Sequence, residues 1–419
     1  MITRLQLPNG IRLVMEKIPS VRSISIGIWI AAGSKYEQKE NNGISHFIEH
    51  MLFKGTKKRS AREIAEAFDS IGGILNAFTS KEYTCYYARV LDEHVNLAID
   101  ILADMFFHST FEPEEIEKEK NVILEELKMY EDTPEEVVHD LIAQATYAQH
   151  SLGFTILGRE EVLHTFTADS FRQYMQRFYI PANMVISVAG NIEEKRIIQL
   201  VETYFGHYTS DQKPMATIQP TVTHEHLIKV KDTEQAHMCM AFEGLPLGDS
   251  RIYALNILNN IFGGSMSSRL FQEIREERGL AYSVYSYHSS YLDSGTVQVY
   301  AGTTPNQLET VYELCINILE DLIAGNITEK ELKNSKEQLK GNLMLSLEST
   351  NSRMSRLGKN ELLLHRHLTL DEVIREIEAV TLEDVQKLAK TIFQKKHSFA
   401  LVSTLEEIPN NIHPERLIS

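Results

Sequence analysis

The chain has 419 residues, more than one hydrophobic core usually supports, so its length predicts two or more domains. With 43% hydrophobic and 24% charged residues, it has the composition of an ordinary globular protein. A formal net charge of −16 argues against a general nucleic-acid binder and favours neutral or cationic partners.

The cysteines and the N-terminal segment indicate the cellular compartment. Cys85, Cys239 and Cys315 lie far apart without a CxxC pair, which argues against a disulfide scaffold and favours a reducing compartment. The first 20 residues lack the continuous apolar core of a signal peptide, and no run of about 18 apolar residues occurs anywhere. We therefore expect a soluble, cytoplasmic protein that does not span a membrane.

Strands are predicted in the first 35 residues, because apolar residues alternate there and keep mostly to one face: Val21, Ile24, Ile26, Ile28 and Ile30. A helix is predicted to begin near Gly43, and a second helix is predicted after Ser60, which can cap it. The stretch ILNAFTSKEYTCYYARVL is rich in β-branched and aromatic residues and predicts a hairpin. Two further helices are predicted over about 92–107 and 112–130.

A similar order of elements returns in the second half of the chain. The stretch FTADSFRQYMQRFYIPANMVISVAGNIEE matches VTLEDVQKLAKTIFQKKHSFALVSTLEE in pattern, each with a capped helix, a turn and a hydrophobic strand. This self-similarity predicts duplication of one α+β unit. The segment SDQKPMATIQPTVTHEH is polar and carries two prolines, as a linker would. We therefore place the boundary near residue 215, between domains 1–215 and 216–419.

The stretch HFIEHMLFKGT contains two histidines four residues apart. On a helix, His46 and His50 project from one face and can bind one ion, and zinc favours such a pair. Glu49 lies close enough to take a proton from a zinc-activated water, and H-x-x-E-H is a known zinc-peptidase signature. The alternative is that these three residues are ordinary polar residues of an amphipathic helix.

A third ligand would favour the metal site. The helix containing IEKEKNVILEELKMYED offers Glu117, Glu119, Glu125 and Glu126 as candidates. Glu119 and Glu126 are seven residues apart and share one face. Glu126 also lies within the apolar stretch NVILEEL, where a carboxylate needs a partner. The pattern alone leaves the choice among them open.

Five stretches along both halves resemble the insulinase/pitrilysin family of zinc metallopeptidases: GISHFIEHMLFKGT, GGILNAFTSKEYTCYYARVL, IEKEKNVILEELKMYEDTPEEVV, SLGFTILG and LFQEIREERGLAYSV. The chain resembles in particular bacterial homologues of the catalytic (beta) subunit of the mitochondrial processing peptidase. This resemblance implies that His46, His50 and Glu126 bind one Zn²⁺ per chain. It also implies that Glu49 is the general base and that Glu119, beside the ligands, orients them and tunes the metal.

The resemblance also implies where a peptide substrate binds. The peptide would add as a strand beside the zinc, with Asn76 and Ala77 meeting its backbone and Phe78 lining the pocket past the scissile bond. Phe78 could instead be a core residue of a buried strand. Arg275 and Tyr282 would hold the peptide and stabilise the oxyanion, unless they are an arginine on a solvated helix face and a tyrosine in a strand.

The implied fold is α+β, with two homologous α/β-sandwich domains per chain, each a mainly antiparallel sheet flanked by helices. One chain would form half of a clamshell chamber, so we expect a homodimer. The implied function is a zinc endopeptidase that hydrolyses short, unstructured peptides, and the negative net charge favours basic ones. The alternative is a non-catalytic scaffold or a partner subunit of a hetero-oligomeric processing peptidase.

Overall fold

The computed structural model describes residues 2–148, 150–216, 218–413 and 415–417, and two sheets organise this part of the chain. The first sheet contains β1 (Ile2–Gln6), β2 (Arg12–Lys17), β3 (Ser23–Ile30), β4 (Ile74–Thr79), β5 (Thr84–Leu91) and β6 (Met184–Gly190). The second contains β7 (His226–Val230), β8 (Ala236–Glu243), β9 (Ala281–Ser290), β10 (Gly295–Thr303) and β11 (Ser398–Ser403).

Helices flank both sheets. In chain order they are α1 (Ile44–Met51), α2 (Ala61–Asp69), α3 (Val95–His108), α4 (Pro113–Glu131), α5 (Pro134–Thr146), α6 (Glu160–Leu163), α7 (Ala168–Phe178), α8 (Glu194–Phe205), α9 (Ile252–Phe262), α10 (Leu308–Ile323), α11 (Glu329–Ser346), α12 (Thr350–Leu364), α13 (Leu370–Ala379) and α14 (Leu382–Phe393). A π-helical turn spans Phe271–Glu276. Among the described residues, no helix is both long and apolar enough to cross a membrane.

Both sheets are mixed and mainly antiparallel. The first has the strand order β1-β2-β6-β3-β5-β4, and the second has the order β7-β11-β8-β10-β9. Each described sheet contains one parallel pair, β2 with β6 and β7 with β11. The predicted α+β class with helix-flanked sheets is therefore confirmed.

The chain forms two compact units that are not contiguous in sequence. The first unit contains Met1–Leu127, Phe154–Thr217 and Leu345–His367, and the remaining segments form the second. Each unit therefore takes a helix from the other half of the sequence, α12 in the first unit and α5 in the second. The sequence boundary near residue 215 stays a prediction about the duplicated segments.

Helix α12 covers the face of the first sheet that lies opposite the main core. Ile24, Ile26 and Ile28 of β3 belong to the main core, as their alternation predicts. Trp29 points to the other face, where its indole N–H donates to Ser187 Oγ at 2.8 Å. A Cβ atom at Gly358 of α12 would lie 2.1 Å from Trp29 Nε1, so the helix packs against the indole where there is no side chain.

Helix α5 covers the corresponding face of the second sheet. Val138 and Ile142 pack in one cluster with Cys239 and Tyr300 of the strands. His139 joins the helix to the sheet through hydrogen bonds, one of them to Tyr287 Oη at 2.7 Å. Both helices bury the second face of their sheets, which explains why β3 and β8 are buried at nearly every position.

Candidate active site

Helix α1 is fixed at its N-terminus by a buried carboxylate. Glu37 accepts hydrogen bonds from the backbone N–H groups of Gly43 at 2.8 Å and Ser45 at 2.9 Å, and from Asn42 Nδ2 at 2.9 Å. Burial raises the pKa of Glu37, although these hydrogen bonds oppose the shift. Gly43 has φ 97° and closely approaches Gly158, so a side chain at this position would be both strained and obstructed. The start of α1 is therefore defined by specific contacts.

The two histidines of α1 converge with Glu126 of α4. His46 Nε2 and His50 Nε2 lie 3.2 Å apart, and Glu126 Oε2 lies 3.8 and 3.7 Å from them, respectively. In a tetrahedral zinc site with bonds of about 2.0–2.1 Å, ligand atoms are separated by about 3.3 Å. The observed group is therefore close to the size that zinc requires, and its donors are of the types that zinc prefers.

The charge state of His46 and the hydrogen bond of His50 suit metal binding. Burial, with repulsion from His50, lowers the pKa of His46 to about 3, so its imidazole is neutral at neutral pH. His50 Nδ1 lies 2.8 Å from Glu119 Oε1, where it donates a hydrogen bond and leaves Nε2 available as a ligand. Among the described residues, no group bonds to the buried Nδ1 of His46.

Glu119 is held in its ionised form beside His50. Burial alone would favour the neutral acid, but hydrogen bonds from His50 and Lys54 outweigh it and lower the pKa of Glu119. Lys54 Nζ lies 2.5 Å from Glu119 Oε2. The sequence analysis did not identify Lys54, which lies beyond the end of α1, so helix spacing gave no signal for it.

Glu49 lies on the same helix as the histidines and is bonded to strand β4. Its Oε2 atom accepts a hydrogen bond from Thr79 Oγ1 at 2.6 Å. Burial raises the pKa of Glu49, while the hydrogen bond from Thr79 opposes this shift. Thr79 also escaped the sequence analysis, because its partner is 30 residues away and no local pattern relates the two.

Strand β4 carries the predicted substrate-binding residues at the edge of the first sheet. In the described sheet it pairs with β5 alone, so its other side is free. Asn76 Oδ1 accepts a hydrogen bond from the N–H of Ala77 at 2.8 Å. The ring of Phe78 packs near Trp29, with centroids 5.7 Å apart, and near Tyr87, with centroids 6.2 Å apart.

Arg275 and Tyr282 lie in the second unit and contact each other. The guanidinium carbon of Arg275 lies 5.0 Å from the centroid of the Tyr282 ring and 4.7 Å from that of Phe271. Tyr282 is 79% exposed. The structure thus brings these two residues together, and their part in binding a substrate stays a prediction.

The site meets the requirements of zinc-dependent hydrolysis. It offers two histidines and a glutamate as ligands, and a further carboxylate on the helix of the histidines. With the helix-flanked mixed sheets, this site defines a zinc protease.

Comparison with known proteins identifies the family. Residues 12–160 match the insulinase family (peptidase family M16), and residues 165–339 match the inactive domain of M16 peptidases. The chain is 58% identical to the uncharacterized zinc protease YmxG of Bacillus subtilis, covering 98% of this chain and 100% of that protein. The uncharacterized zinc protease SCO5738 of Streptomyces coelicolor is 40% identical, covering 97% and 90%. The chain belongs to the insulinase family, M16.

A solved structure shows the same fold. The crystal structure of a protease from Helicobacter pylori superposes with a TM-score of 0.90 at 21% identity, covering 96% of this chain and 99% of that one.

Proposed function

We propose that this protein is a zinc endopeptidase that binds one zinc ion per chain and cleaves short, unstructured peptides. The observation that carries the proposal is the meeting of His46, His50 and Glu126 around one point, with Glu49 on the same helix. These three side chains would hold zinc, which would supply Lewis acidity for polarising a scissile carbonyl and for acidifying water.

The protein's own side chains perform the proton transfers in this proposal. Glu49 takes a proton from the attacking water and passes it to the leaving amine nitrogen. Glu119 keeps the imidazole of His50 oriented by accepting its Nδ1–H, and Lys54 keeps Glu119 ionised. The contacts of Glu119 with His50 and Lys54 support the last two of these roles.

The free edge of β4 is the proposed binding place for the substrate backbone. An extended peptide adding beside β4 would form main-chain hydrogen bonds with the Asn76–Ala77 segment. The Asn76 side chain, which now bonds to the N–H of Ala77, would have to yield that N–H to the peptide. Phe78 would contribute to the pocket past the scissile bond. This binding mode needs an extended chain, so folded proteins are poor substrates.

The proposed assembly is a cytoplasmic homodimer that encloses a chamber. Arg275 and Tyr282 would hold the peptide and stabilise the oxyanion formed on attack. The contact of Arg275 with Glu276 is 3.8 Å long, which is too long for a strong ion pair, so the Arg275 guanidinium can bind a substrate carbonyl.

Zinc analysis combined with peptide cleavage tests the proposed function. The purified chain should contain close to one zinc per chain and should cleave a library of unstructured peptides. A chelator should abolish cleavage, and added zinc should restore it. A folded protein with the same amino-acid composition as the peptides should resist cleavage. A zinc-loaded protein that cleaves no peptide in the library would support the scaffold alternative.

A further inference from the structure

Thr79 occupies a place that connects the proposed base with the proposed substrate-binding edge. It is the last residue of β4, and its hydroxyl donates to Glu49 Oε2 at 2.6 Å. This contact joins strand β4 to helix α1 directly at the carboxylate. A short hydrogen bond to an ionised acceptor is stronger than a bond between neutral groups. Thr79 therefore restricts the directions in which the Glu49 carboxylate can point.

The hydroxyl proton of Thr79 has one favourable acceptor. Thr79 Oγ1 also lies 3.4 Å from Thr84 Oγ1, but the Thr84 hydroxyl donates to the backbone oxygen of Ala32 at 2.9 Å. An ionised Glu49 can only accept. The Thr79 proton is thus directed to Glu49 and not to Thr84.

The backbone of the same residue faces the free edge of the sheet. In the turn after β4, the N–H of Ser80 donates to the oxygen of Tyr83 at 2.8 Å. Residues of an antiparallel pair alternate between those bonded to the partner strand and those facing away. Ser80 bonds across the turn, so the backbone groups of Thr79, one residue earlier and paired with Thr84, face away from β5. The same alternation applies to Ala77, two residues before Thr79, whose N–H is bonded to the Asn76 side chain.

We propose that Thr79 is a positioning residue that aligns Glu49 when a peptide occupies the edge of β4. Its backbone would meet the substrate while its side chain holds the base, so substrate binding and base orientation share one residue. This inference rests on the proposed function, because it assigns the base to Glu49. A peptide that pairs along β4 would fix Thr79, and through it the carboxylate, near the attacking water.

Two substitutions of Thr79 separate this role from a purely structural one. Thr79→Val keeps the shape of the side chain but removes the donor, whereas Thr79→Ser keeps the donor. We expect Thr79→Val to lower kcat about 10- to 100-fold, the range for a hydrogen bond to a charged group, with KM changed less than about threefold. Thr79→Ser should restore kcat to within about threefold of the wild type. Zinc affinity, measured by chelator competition without substrate, should be the same in all three proteins.

Two further variants complete the experiment. Thr84→Val removes the neighbouring hydroxyl, which bonds to Ala32 and not to Glu49, and should leave kcat within about threefold. In the Glu49→Gln background, Thr79→Val should cause no further loss, because Thr79 acts through Glu49.

A Thr79→Val protein with normal kcat would overturn the proposal, as would one whose only defect is a raised KM or weakened zinc binding. Failure of the proposed function is distinguishable, because the zinc-loaded wild type would then cleave no peptide.

Discussion

His50 lies between two glutamates of α4 that differ in what they contact. Glu119 bonds to its Nδ1 atom, while Glu126 approaches its Nε2 atom, 3.7 Å away. The two glutamates are seven residues apart, so two turns of helix separate them along the same face. One helix thereby supplies both a metal ligand and the group that orients another ligand.

Replacing Glu49 tests the base without removing a ligand. Glu49→Gln should lower kcat for peptide cleavage at least about 100-fold, since general base catalysis typically contributes that much or more. Zinc should remain bound at close to one ion per chain, because His46, His50 and Glu126 are unchanged. Elemental analysis with steady-state kinetics checks both expectations, and loss of zinc from this variant would contradict the assignment.

Replacing Glu126 should instead weaken the metal site itself. Glu126→Gln substitutes a neutral amide for an anionic ligand, so zinc affinity should fall at least about tenfold. Chelator competition measures this change. Glu125→Gln is the matched control, because Glu125 is the exposed neighbour of Glu126 and does not belong to the ligand group. Equal zinc affinity in the two variants would show that the third ligand lies elsewhere.

Spacing along the helix was sufficient to predict that His46 and His50 share one face, but not which glutamate joins them. Several glutamates of α4 were available, and the choice of Glu126 came from resemblance to a family. Lys54 and Thr79 were missed for a different reason. Their roles depend on α4 and β4 lying beside α1, which is a tertiary arrangement that local periodicity does not contain.

At the scale of elements, substitutions can test how closely α12 packs against β3. Gly358→Ala should destabilise the protein by about 1–3 kcal/mol, because the added methyl would overlap the indole of Trp29. Gly341→Ala on α11 is the matched control. Among the described residues, no atom outside its own stretch of helix lies within 4 Å of the added Cβ, so the change should be neutral or should stabilise by up to about 1 kcal/mol. Urea unfolding of both variants checks the difference, and equal stabilities would contradict the described packing.

The elements around the site agreed well with the sequence patterns. The helix after Gly43, the helix capped by Ser60 and the hairpin of β4 and β5 were all predicted, because caps and alternation are local signals. The placement of α5 and α12 was not predicted. A helix pattern shows which face is apolar, but not which sheet will cover it.

At the scale of the whole molecule, charge should select among substrates. A protein with a net charge of −16 should attract basic peptides, and salt should screen this attraction. We expect kcat/KM for a basic peptide to exceed that for its acidic counterpart at low salt, with the ratio falling as salt is raised to about 0.5 M. Competition between two labelled peptides measures the ratio directly. A ratio that is independent of salt would exclude this source of preference.

The proposed dimer makes a prediction about mixed subunits. If Arg275 serves the zinc site of the partner chain, Glu49→Gln and Arg275→Ala homodimers should each be nearly inactive. Subunit exchange would then create hybrids with one intact site, and random mixing should restore roughly a quarter of wild-type activity. Light scattering and exchange of labelled subunits provide the control. No recovery despite confirmed exchange would place both residues in the same chain.

The placement of α5 and α12 also bears on how such a chain could have arisen by duplication. Two tandem copies would each have contained a helix covering their own sheet. In the present chain, α5 is encoded in the first half but completes the second unit, and α12 is encoded in the second half but completes the first. Each unit is therefore completed by a helix from the other half of the sequence. Recombination that replaced one half of the sequence would change the cores of both units at once. We therefore expect the two halves of the sequence to be inherited together.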